Sequence, residues 1–477
     1  MRKKGSVTVF LTLILSLLLS LICASIESVR MASARTQILN GMDIGLYSLF
    51  GQYDKELLTD YDLFALDGSR GGGQLDLAAV CDELEAYMNP VLKQNSQKLT
   101  LCQSGLTGYR LLTDQKGEAF YQQIVGYMQE TLGSQGIQLL LGRMSERQEK
   151  TARADQSANQ AQSKGSIDRY DSEMNQASEK SQQAAEEAQV VPQAPPAKNP
   201  ITIMKRIMKR GVLELVLPGG NGLSTKEIEK GTLVSGRGLQ QGMEMPDGMT
   251  VENSYTSEVL FQQYLMEHLG SYAEPSSTGL AYQVEYIFGG KDSDEDNLKA
   301  VASKLLFIRE GVNFACLMAD NVKRSEAQAL ATAIASGFLV PPAAVIIEAA
   351  LILCWAFAES VLDVRELFAG GRIPLVKSSG DWQISLENLP DLMEGLDSMR
   401  RNDEKGMSYK DYLQVLVLTV SKEKKVMRAM DMIENTIREK GRKNFCMDSC
   451  IVALEAFADV KANKKKDFQV IRQYCYE

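Results

Sequence analysis

Residues 7–26 read VTVFLTLILSLLLSLICASI, twenty residues without a charge that closely follow the basic residues Arg2, Lys3 and Lys4. At 1.5 Å per residue, a helix of this length spans about 30 Å, the thickness of the hydrocarbon core of a bilayer. The positive-inside rule keeps the basic end in the cytoplasm. The sequence therefore predicts a single-pass anchor in the cytoplasmic membrane, with the N-terminus cytoplasmic and the bulk of the chain extracytoplasmic.

A cleaved signal peptide is the first alternative to an anchor. Residues 32–34, Ala-Ser-Ala, have the small-x-small pattern of a cleavage site. The apolar run is longer than the usual signal core of about 7 to 15 residues, however, and Glu27 and Arg30 separate it from that site. We expect the N-terminal segment to be retained.

Two other kinds of processing fit the sequence less well. Cys23 suggests a lipoprotein, but the bulky Ile22 occupies the preceding position, where a small residue is expected. Gly5 follows a basic patch as in type IV prepilins, but Phe10 stands where prepilins carry a glutamate. Neither pattern predicts cleavage.

Composition predicts a large globular body and excludes several functions. The chain has 477 residues and is 44% hydrophobic, which is enough for two or three domains. A net charge of −9 argues against a nucleic-acid partner. His268 is the single histidine, and residues 446–450, CMDSC, lack the further ligands of a structural zinc site. The glycines of residues 236–242 have the wrong spacing for a dinucleotide-binding loop. From these observations together we predict no cofactor, no metal, no catalytic residue and no small-molecule substrate.

The chain divides by composition into four segments. Residues 1–52 are the anchor, with its transmembrane part at 7–26, and a helical stalk. Residues 53–144 are a membrane-proximal α+β unit, residues 145–199 are a linker rich in Gln, Ala, Ser and Pro, and residues 200–477 are a helix-rich extracytoplasmic domain. The stalk has an apolar stripe at helical spacing. This stripe consists of Ile38, Met42, Gly45, Leu46 and Leu49.

The linker contains almost nothing that offsets the entropy of folding, so we expect a solvated, partly helical spacer. A coiled coil with a partner is the alternative, because a short heptad pattern runs through it. Its core positions are Ile167, Tyr170, Met174, Ala177, Ser181, Ala184 and Ala188.

Pro200 opens a short amphipathic helix that ends before Gly211. Its apolar stripe lies opposite the basic residues Lys205, Arg206, Lys209 and Arg210. A basic amphipathic helix can lie on an anionic membrane surface. The alternative is an ordinary helix that packs on the second domain.

Residues 281–293 give two local predictions. AYQVEYIF, residues 281–288, alternates like a half-buried strand and ends at a Gly-Gly pair. Ser293 then caps a helix whose first turn is acidic. A calcium loop with Asp292, Asp294 and Asp296 as ligands is the alternative, although its sixth and twelfth positions do not fit.

Residues 343–358, AAVIIEAALILCWAFA, predict a buried core helix that stops at Gly370 and Gly371, with a second membrane span as the alternative. Glu348, Glu359, Asp363 and Glu366 fall on one face of this helix. We expect a solvated acidic face, with a glycosidase-like carboxylate pair as the alternative. Finally, residues 448–476 are rich in β-branched and aromatic residues and predict a pair of strands.

Five stretches of the chain carry a resemblance to known proteins. They are RKKGSVTVFLTLILSLLLSLI (2–22), ESVRMASARTQILNGMDIGLYSLFGQYDKELLTDYDLFALD (27–67), NPITIMKRIMKRGVLELVLP (199–218), YQVEYIFGGKDSDEDNLKAVASKLLFIREGVNFACLMAD (282–320) and CWAFAESVLDVRELFAGGRIPLVKSSGDW (354–382). The chain resembles a family of single-pass membrane proteins of unknown function that accompany the tight-adherence (Flp-type) pilus systems of Gram-positive bacteria. The resemblance covers about two thirds of the chain, and the N-terminal part is similar to pseudopilin-like proteins. It implies membrane location and association with other membrane helices, but no catalytic residues.

Together these observations predict an α+β, helix-rich protein that is a structural or assembly component of a pilus or secretion apparatus. Its predicted partners are the lipid bilayer and other pilus or secretion-system membrane helices. Thr12, Ser16 and Ser20 recur at a spacing of four and form a candidate helix-packing face, unless their hydroxyls only bond their own backbone. A cell-envelope hydrolase that uses acidic residues, or a membrane-anchored binding protein on a stalk, are the alternatives.

Overall fold

The computed structural model describes residues 4–94, 99–164, 200–217, 222–243, 254–337, 344–391, 406–462 and 466–476, with residues 172, 175, 176, 179 and 245. The described residues are mostly helical with some strands, which confirms the predicted helix-rich α+β class. The heptad core positions and the Pro-rich end of the predicted linker lie outside these residues.

The helices in the described part of the chain are α1 (Lys4–Phe50), α2 (Lys55–Tyr61), α3 (Leu77–Lys93), α4 (Asp114–Lys164), α5 (Pro200–Met208), α6 (Val212–Val216), α7 (Tyr255–His268), α8 (Gln283–Gly289), α9 (Asp294–Ala319), α10 (Asn321–Gly337), α11 (Ala344–Phe368), α12 (Tyr409–Leu418) and α13 (Lys422–Glu439). The strands there are β1 (Leu66–Asp67), β2 (Leu99–Leu111), β3 (Arg372–Ile373), β4 (Met407–Ser408), β5 (Cys450–Ala462) and β6 (Lys466–Cys475).

The chain divides into two compact units. Unit 1 combines residues 1–127, 231–252 and 437–477, and unit 2 combines residues 128–230 and 253–436. Unit 1 is therefore assembled from segments that are far apart in the sequence.

The sheet of unit 1 is antiparallel and has β5 at its centre. β2 pairs along one side of β5, from Leu111 opposite Ile451 to Leu99 opposite Ala462. β6 and the short β1 share the other side of β5. β5 and β6 confirm the strand pair that the sequence predicts at residues 448–476.

The second half of α1 packs into the core of unit 1 against α3 and the sheet. Its buried residues follow one helical stripe, which confirms the predicted stalk stripe. A side chain at Gly45 would place its Cβ 2.6 Å from Cγ of Met88, so the glycine allows α1 and α3 to approach closely. The buried stripe consists of Ala34, Ile38, Met42, Leu46 and Leu49.

The first half of the same helix is exposed and apolar. Its most apolar window has no buried residue, and the leucine, isoleucine, valine and phenylalanine side chains of residues 7–26 are each 43 to 67% exposed. In the described part of the chain, α1 and α11 are the two helices long and apolar enough to cross a membrane.

α11 is the core helix of unit 2, as the sequence predicts for residues 343–358. It packs against α9 and α10, and α5 and α6 also lie against it. In the most apolar 18-residue stretch of α11, 78% of the residues are buried inside the protein. Most of the apolar surface of this helix is therefore covered by other parts of the protein. The helix ends at Phe368, and Gly370 adopts a positive φ of 90° just beyond it.

The strand predicted at residues 281–288 is wrong, because these residues form helix α8. Gln283 to Ile287 are buried on both faces, so their alternation of residue type does not reflect an inside and an outside. The cap prediction is confirmed: the Ser293 side chain accepts a hydrogen bond from the backbone N–H of Asp296 at the start of α9.

Residues 145–164, which composition assigns to the linker, continue helix α4 and pack within unit 2. Met144, Thr151, Ala154 and Ala158 are buried. A side chain at Gly311 on α9 would overlap Ala158, so the two helices approach closely at small residues. Composition cannot show this packing, because alanine and glycine are also typical of solvated spacers.

Candidate functional site

The hydroxyls of the predicted membrane helix-packing face bond their own helix. Thr12 Oγ1 donates to the carbonyl of Val9 at 2.9 Å. Ser16 and Ser20 donate in the same way to the carbonyls three residues earlier, at 2.9 and 2.8 Å. These hydroxyls therefore have hydrogen-bond acceptors without a partner helix. Because the three side chains are small, they would still allow another helix to approach closely.

The predicted basic helix corresponds to α5 and the two residues after it. Its apolar stripe is buried in unit 2 and packs against α11. The stripe consists of Ile201, Met204 and Ile207. Lys205 is half-buried, whereas Arg206, Lys209 and Arg210 are exposed. An apolar stripe that is already covered has no surface to insert into a bilayer, which favours the alternative of an ordinary packed helix.

The acidic face of α11 is not the solvated face that the sequence predicts. Glu359 is 0% exposed and Asp363 is 2% exposed, whereas Glu348 and Glu366 are half-buried. The prediction is wrong for the two central carboxylates, because cations from outside the helix pair with them.

These cations come from α9 and from the segment after β3. Arg309 donates to Asp363 Oδ2 through Nε at 3.0 Å and through Nη2 at 2.8 Å. Lys377 Nζ lies 2.5 Å from Asp363 Oδ1 and 2.5 Å from Glu359 Oε1. Two buried cations thus meet two buried carboxylates, which we call the buried charge cluster.

Further hydrogen bonds complete the cluster. Asn313 Nδ2 donates to Asp363 Oδ2 at 3.0 Å and to Ser360 Oγ at 2.8 Å, and Glu359 Oε2 accepts from the backbone N–H of Ile384 at 3.0 Å. Burial alone would raise the pKa of Asp363, but Arg309 and Lys377 lower it below its ordinary value. The two carboxylates are closed off from solvent, so the cluster is arranged to hold elements together.

The buried charge cluster holds one wall of an open cleft in unit 2. Arg309 Nη1 donates to the carbonyls of Pro374 and Leu375, at 3.0 and 2.8 Å. The thiol of Cys316 contacts the carbonyl of Lys377 at 3.8 Å. Pro374, Leu375 and Cys316 all line this cleft, which has a volume of about 860 Å³.

The cleft has a basic wall and an apolar wall. The basic wall is a stripe of α4, and it faces an apolar surface from α9, the β3 segment and β4. The basic wall carries Arg143, Arg147, Lys150 and Arg153. The apolar wall includes Val312, Ala315, Ala319, Leu375, Val376 and Met407.

Positive charge dominates the cleft. With Arg372, five cations line it against the two carboxylates of Glu146 and Asp411. Arg147 is tied to Asp411 at 2.7 Å, and Lys150 pairs with Glu146 one turn earlier on the exposed surface. The Arg147–Asp411 pair is partly buried, with side chains 27% and 17% exposed, so Arg147 is already engaged. Lys150 and Arg153 pair with Glu146 and Glu149 on the exposed surface, where such pairs are weak, so these two cations remain accessible to an anionic ligand.

A second unusual group in unit 2 is the carboxyl of Glu285, which is 0% exposed. Its Oε1 accepts hydrogen bonds from the Tyr272 backbone N–H at 2.8 Å and from the Tyr409 hydroxyl at 2.6 Å, whereas Oε2 has no hydrogen-bond partner among the residues that the structure describes. The ring of Tyr272 meets those of Phe368 and Tyr409 edge to face, and the latter two rings are tilted against each other. Burial, reinforced by Asp294, raises the pKa of Glu285 to about 7.

Among the described residues, no group of three or more His, Cys, Asp or Glu side chains is arranged to hold a metal ion. His268 stacks on Tyr264 with ring centroids 4.0 Å apart. The thiol of Cys354 is buried, whereas that of Cys316 is only partly buried.

Neither the cluster nor the cleft has a local sequence signal. Arg309 and Lys377 are distant in sequence from part of what they bind, and the basic residues of α4 alternate with acidic ones in SERQEKTARAD (145–155), as in a solvated spacer. The spacing of the carboxylates on α11 indicates two members of the cluster, Glu359 and Asp363, but not the cations that pair with them.

Comparisons with known proteins bear on the larger part of the chain. Curated proteins and solved structures gave no match. Residues 192–462, more than half of the chain, match the model of a family of unknown function, DUF5702. The matched range includes α9 and α11, which carry the buried charge cluster, but it begins after α1 and α4. The chain therefore belongs to the DUF5702 family of unknown function.

Proposed function

We propose that this protein is a single-pass membrane protein that serves as a structural or assembly component of a tight-adherence type pilus or secretion apparatus. The observation that carries the proposal is the division of α1 into an exposed apolar half and a half packed in the core of unit 1. The resemblance of the N-terminal stretches to pilus-associated proteins supports the assembly role. In this proposal the N-terminus is cytoplasmic and both units are extracytoplasmic.

The continuity of α1 supports an anchor over a cleaved signal sequence. The helix runs without a break through residues 27–34, and Ala34 is 1% exposed in the core of unit 1. Cleavage after Ala34 would cut the helix where it enters the core. A retained helix instead couples unit 1 rigidly to the membrane.

We predict that the mature protein keeps its N-terminus and that residue 6 is cytoplasmic. Mass spectrometry of the membrane fraction should find an intact N-terminal peptide. A membrane-impermeant maleimide applied to intact cells should label the exposed thiol of Cys102. A Ser6→Cys variant in a background without the eight native cysteines, several of which are exposed, should react only after permeabilisation. A mature N-terminus at Ser6 or Arg35 would contradict the anchor.

We also predict that the small-residue face of the anchor contacts other membrane helices. Replacing Thr12, Ser16 and Ser20 together with leucine should keep the protein in the membrane but reduce photo-crosslinking from the anchor several-fold and impair pilus assembly. The physical reason is that bulk at this face prevents close helix approach, which is worth about 1 kcal/mol per contact or less.

The matched control adds bulk on the opposite face, with Ile14, Leu18 and Ile22 each replaced by phenylalanine. This variant should crosslink and assemble like the unaltered protein. If the leucine variant also does so, α1 is only a passive tether and recognition must lie in the extracytoplasmic units.

A further inference from the structure

We propose that the cleft of unit 2 binds an acidic, amphipathic helical segment of a partner protein. The cleft involves neither α1 nor unit 1, so the inference goes beyond the anchoring role. Loss of peptide binding and loss of membrane attachment are therefore separable results.

The basic wall fixes the spacing of the partner's charges. Arg143, Arg147, Lys150 and Arg153 follow one another by four, three and three residues, so they share one face of α4 over nearly three turns. A partner helix lying alongside α4 presents Asp or Glu at this spacing to Arg143, Lys150 and Arg153, whereas Arg147 is already paired with Asp411. Such facing opposite charges give specificity and speed association.

The apolar wall requires the partner to be amphipathic. Val376 is 69% exposed at this wall and Ala315 and Ala319 are also exposed, whereas Val312 and Leu375 are buried. An apolar stripe on the partner helix would cover this surface while its acidic residues face α4, which is the helix-in-groove mode of recognition.

The wall is also preorganised. The guanidinium of Arg309 binds the carbonyls of Pro374 and Leu375 from the buried side, so their backbone is fixed before any ligand arrives. A fixed wall reduces the entropy that binding must overcome.

Charge complementarity decides for an acidic partner. The cleft carries an excess of three positive charges within a chain whose net charge is −9. An anionic lipid or a simple polyanion also satisfies the basic wall. A polyanion makes no use of the apolar wall, however, and a lipid has no fixed spacing of charges to match α4.

The test measures peptide binding to the full chain in nonionic detergent micelles. The probe is a fluorescently labelled peptide of about 18 residues, five helical turns, with leucines on one face and glutamates on the other. Fluorescence anisotropy should show saturable binding that weakens with salt. The double variant Arg143→Glu and Lys150→Glu should weaken this binding by about tenfold or more, since each charge reversal replaces attraction by repulsion.

Two further variants keep the result specific. Lys209→Glu with Lys299→Glu makes the same change in net charge at exposed positions outside the cleft and should leave binding unchanged. Val376→Ser changes an exposed side chain of the apolar wall and should weaken binding of the amphipathic peptide several-fold.

Each of the following results would overturn the proposal. Equal weakening by the Lys209→Glu, Lys299→Glu control would mean that only overall charge matters. If polyglutamate binds as tightly as the amphipathic peptide, and Val376→Ser does not change its binding, the apolar wall makes no contribution to recognition. Absence of peptide binding, with binding of phosphatidylglycerol vesicles that depends on Arg143 and Lys150, would assign the cleft to a lipid.

Discussion

Replacing Asp363 with alanine is expected to lower the free energy of unfolding of unit 2 by about 3 to 5 kcal/mol. The carboxylate accepts from Arg309 and pairs with Lys377, and both cations are 0% exposed at their side chains. Its removal leaves one carboxylate, Glu359, for two buried cations. The cost is that of an uncompensated buried charge and greatly exceeds the net stabilisation that the intact cluster provides.

Tryptophan fluorescence during urea unfolding measures this effect directly. The chain has two tryptophans, Trp355 and Trp382, and both lie in unit 2 with ring centroids 5.9 Å apart. Lys377 Nζ lies 5.5 Å from the Trp382 ring, so the signal reports on the neighbourhood of the cluster.

Glu348→Ala is the matched control for Asp363→Ala. Glu348 lies on the same acidic face of α11 but pairs with Arg324 at 3.2 Å, and the two side chains are 12% and 51% exposed. Solvent screens a pair with an exposed partner, so this pair contributes about 1 kcal/mol or less. If both variants lose the same free energy of unfolding, burial of the charge cluster does not determine how much Asp363 contributes to stability.

The second large effect concerns pH. The ordinary pKa of Glu285 is 4.5 in the unfolded chain, and burial raises its pKa to about 7 in the folded protein. Between these values the folded state binds more protons than the unfolded state, so the free energy of unfolding falls as pH rises. The penalty is small below pH 4.5 and complete above pH 7, where it reaches about 3 kcal/mol at 1.36 kcal/mol per pKa unit.

Glu285→Gln should remove most of this slope. Glutamine keeps an oxygen that can accept from the Tyr272 N–H and the Tyr409 hydroxyl, but it has no charge to desolvate. Urea unfolding of both proteins should be measured at several pH values between 4.5 and 8.5. As pH rises over this range, the free energy of unfolding of the variant should increase by about 3 kcal/mol relative to that of the unaltered protein.

Glu310 serves as the comparison for Glu285, because burial also raises its pKa to about 7. Glu310→Gln should remove a separate share of the pH dependence, and the double variant should be nearly flat above pH 5. An unchanged slope in Glu285→Gln would contradict the assignment of this pH dependence to the buried carboxyl.

The sequence was sufficient for features whose physical cause is local. The apolar period of α1 predicted both the exposed segment and the buried stripe that includes Ile38 and Met42, and the side chain of Ser293 predicted the start of α9. The β-branched and aromatic residues of 448–476 predicted β5 and β6.

The features that escaped prediction depend on partners far away in the sequence. Asp363 resembles a solvated residue until Arg309 and Lys377, 54 and 14 residues away, are brought to it by the packing of α9 and the β3 segment. The same holds for the cleft, whose walls come from α4, α9 and β4. For α8, the alternation of residue types suggested a strand with one buried face. These residues are buried on both faces of a helix, so the alternation does not indicate a strand there.

The pairing of β2 with β5 has a consequence for biosynthesis. More than 330 residues separate Leu111 from Ile451, and β5 supplies the central strand against which α1 is seated. At roughly 5 to 20 residues per second, synthesis of that interval takes on the order of tens of seconds. During this time α3 is available to pack on the stripe that begins at Ala34, but the central strand that completes this core is not. Unit 2, encoded wholly within the interval, has time to fold first. Premature termination near residue 450 would leave unit 1 without its central strand and would expose part of its apolar core to quality-control proteases.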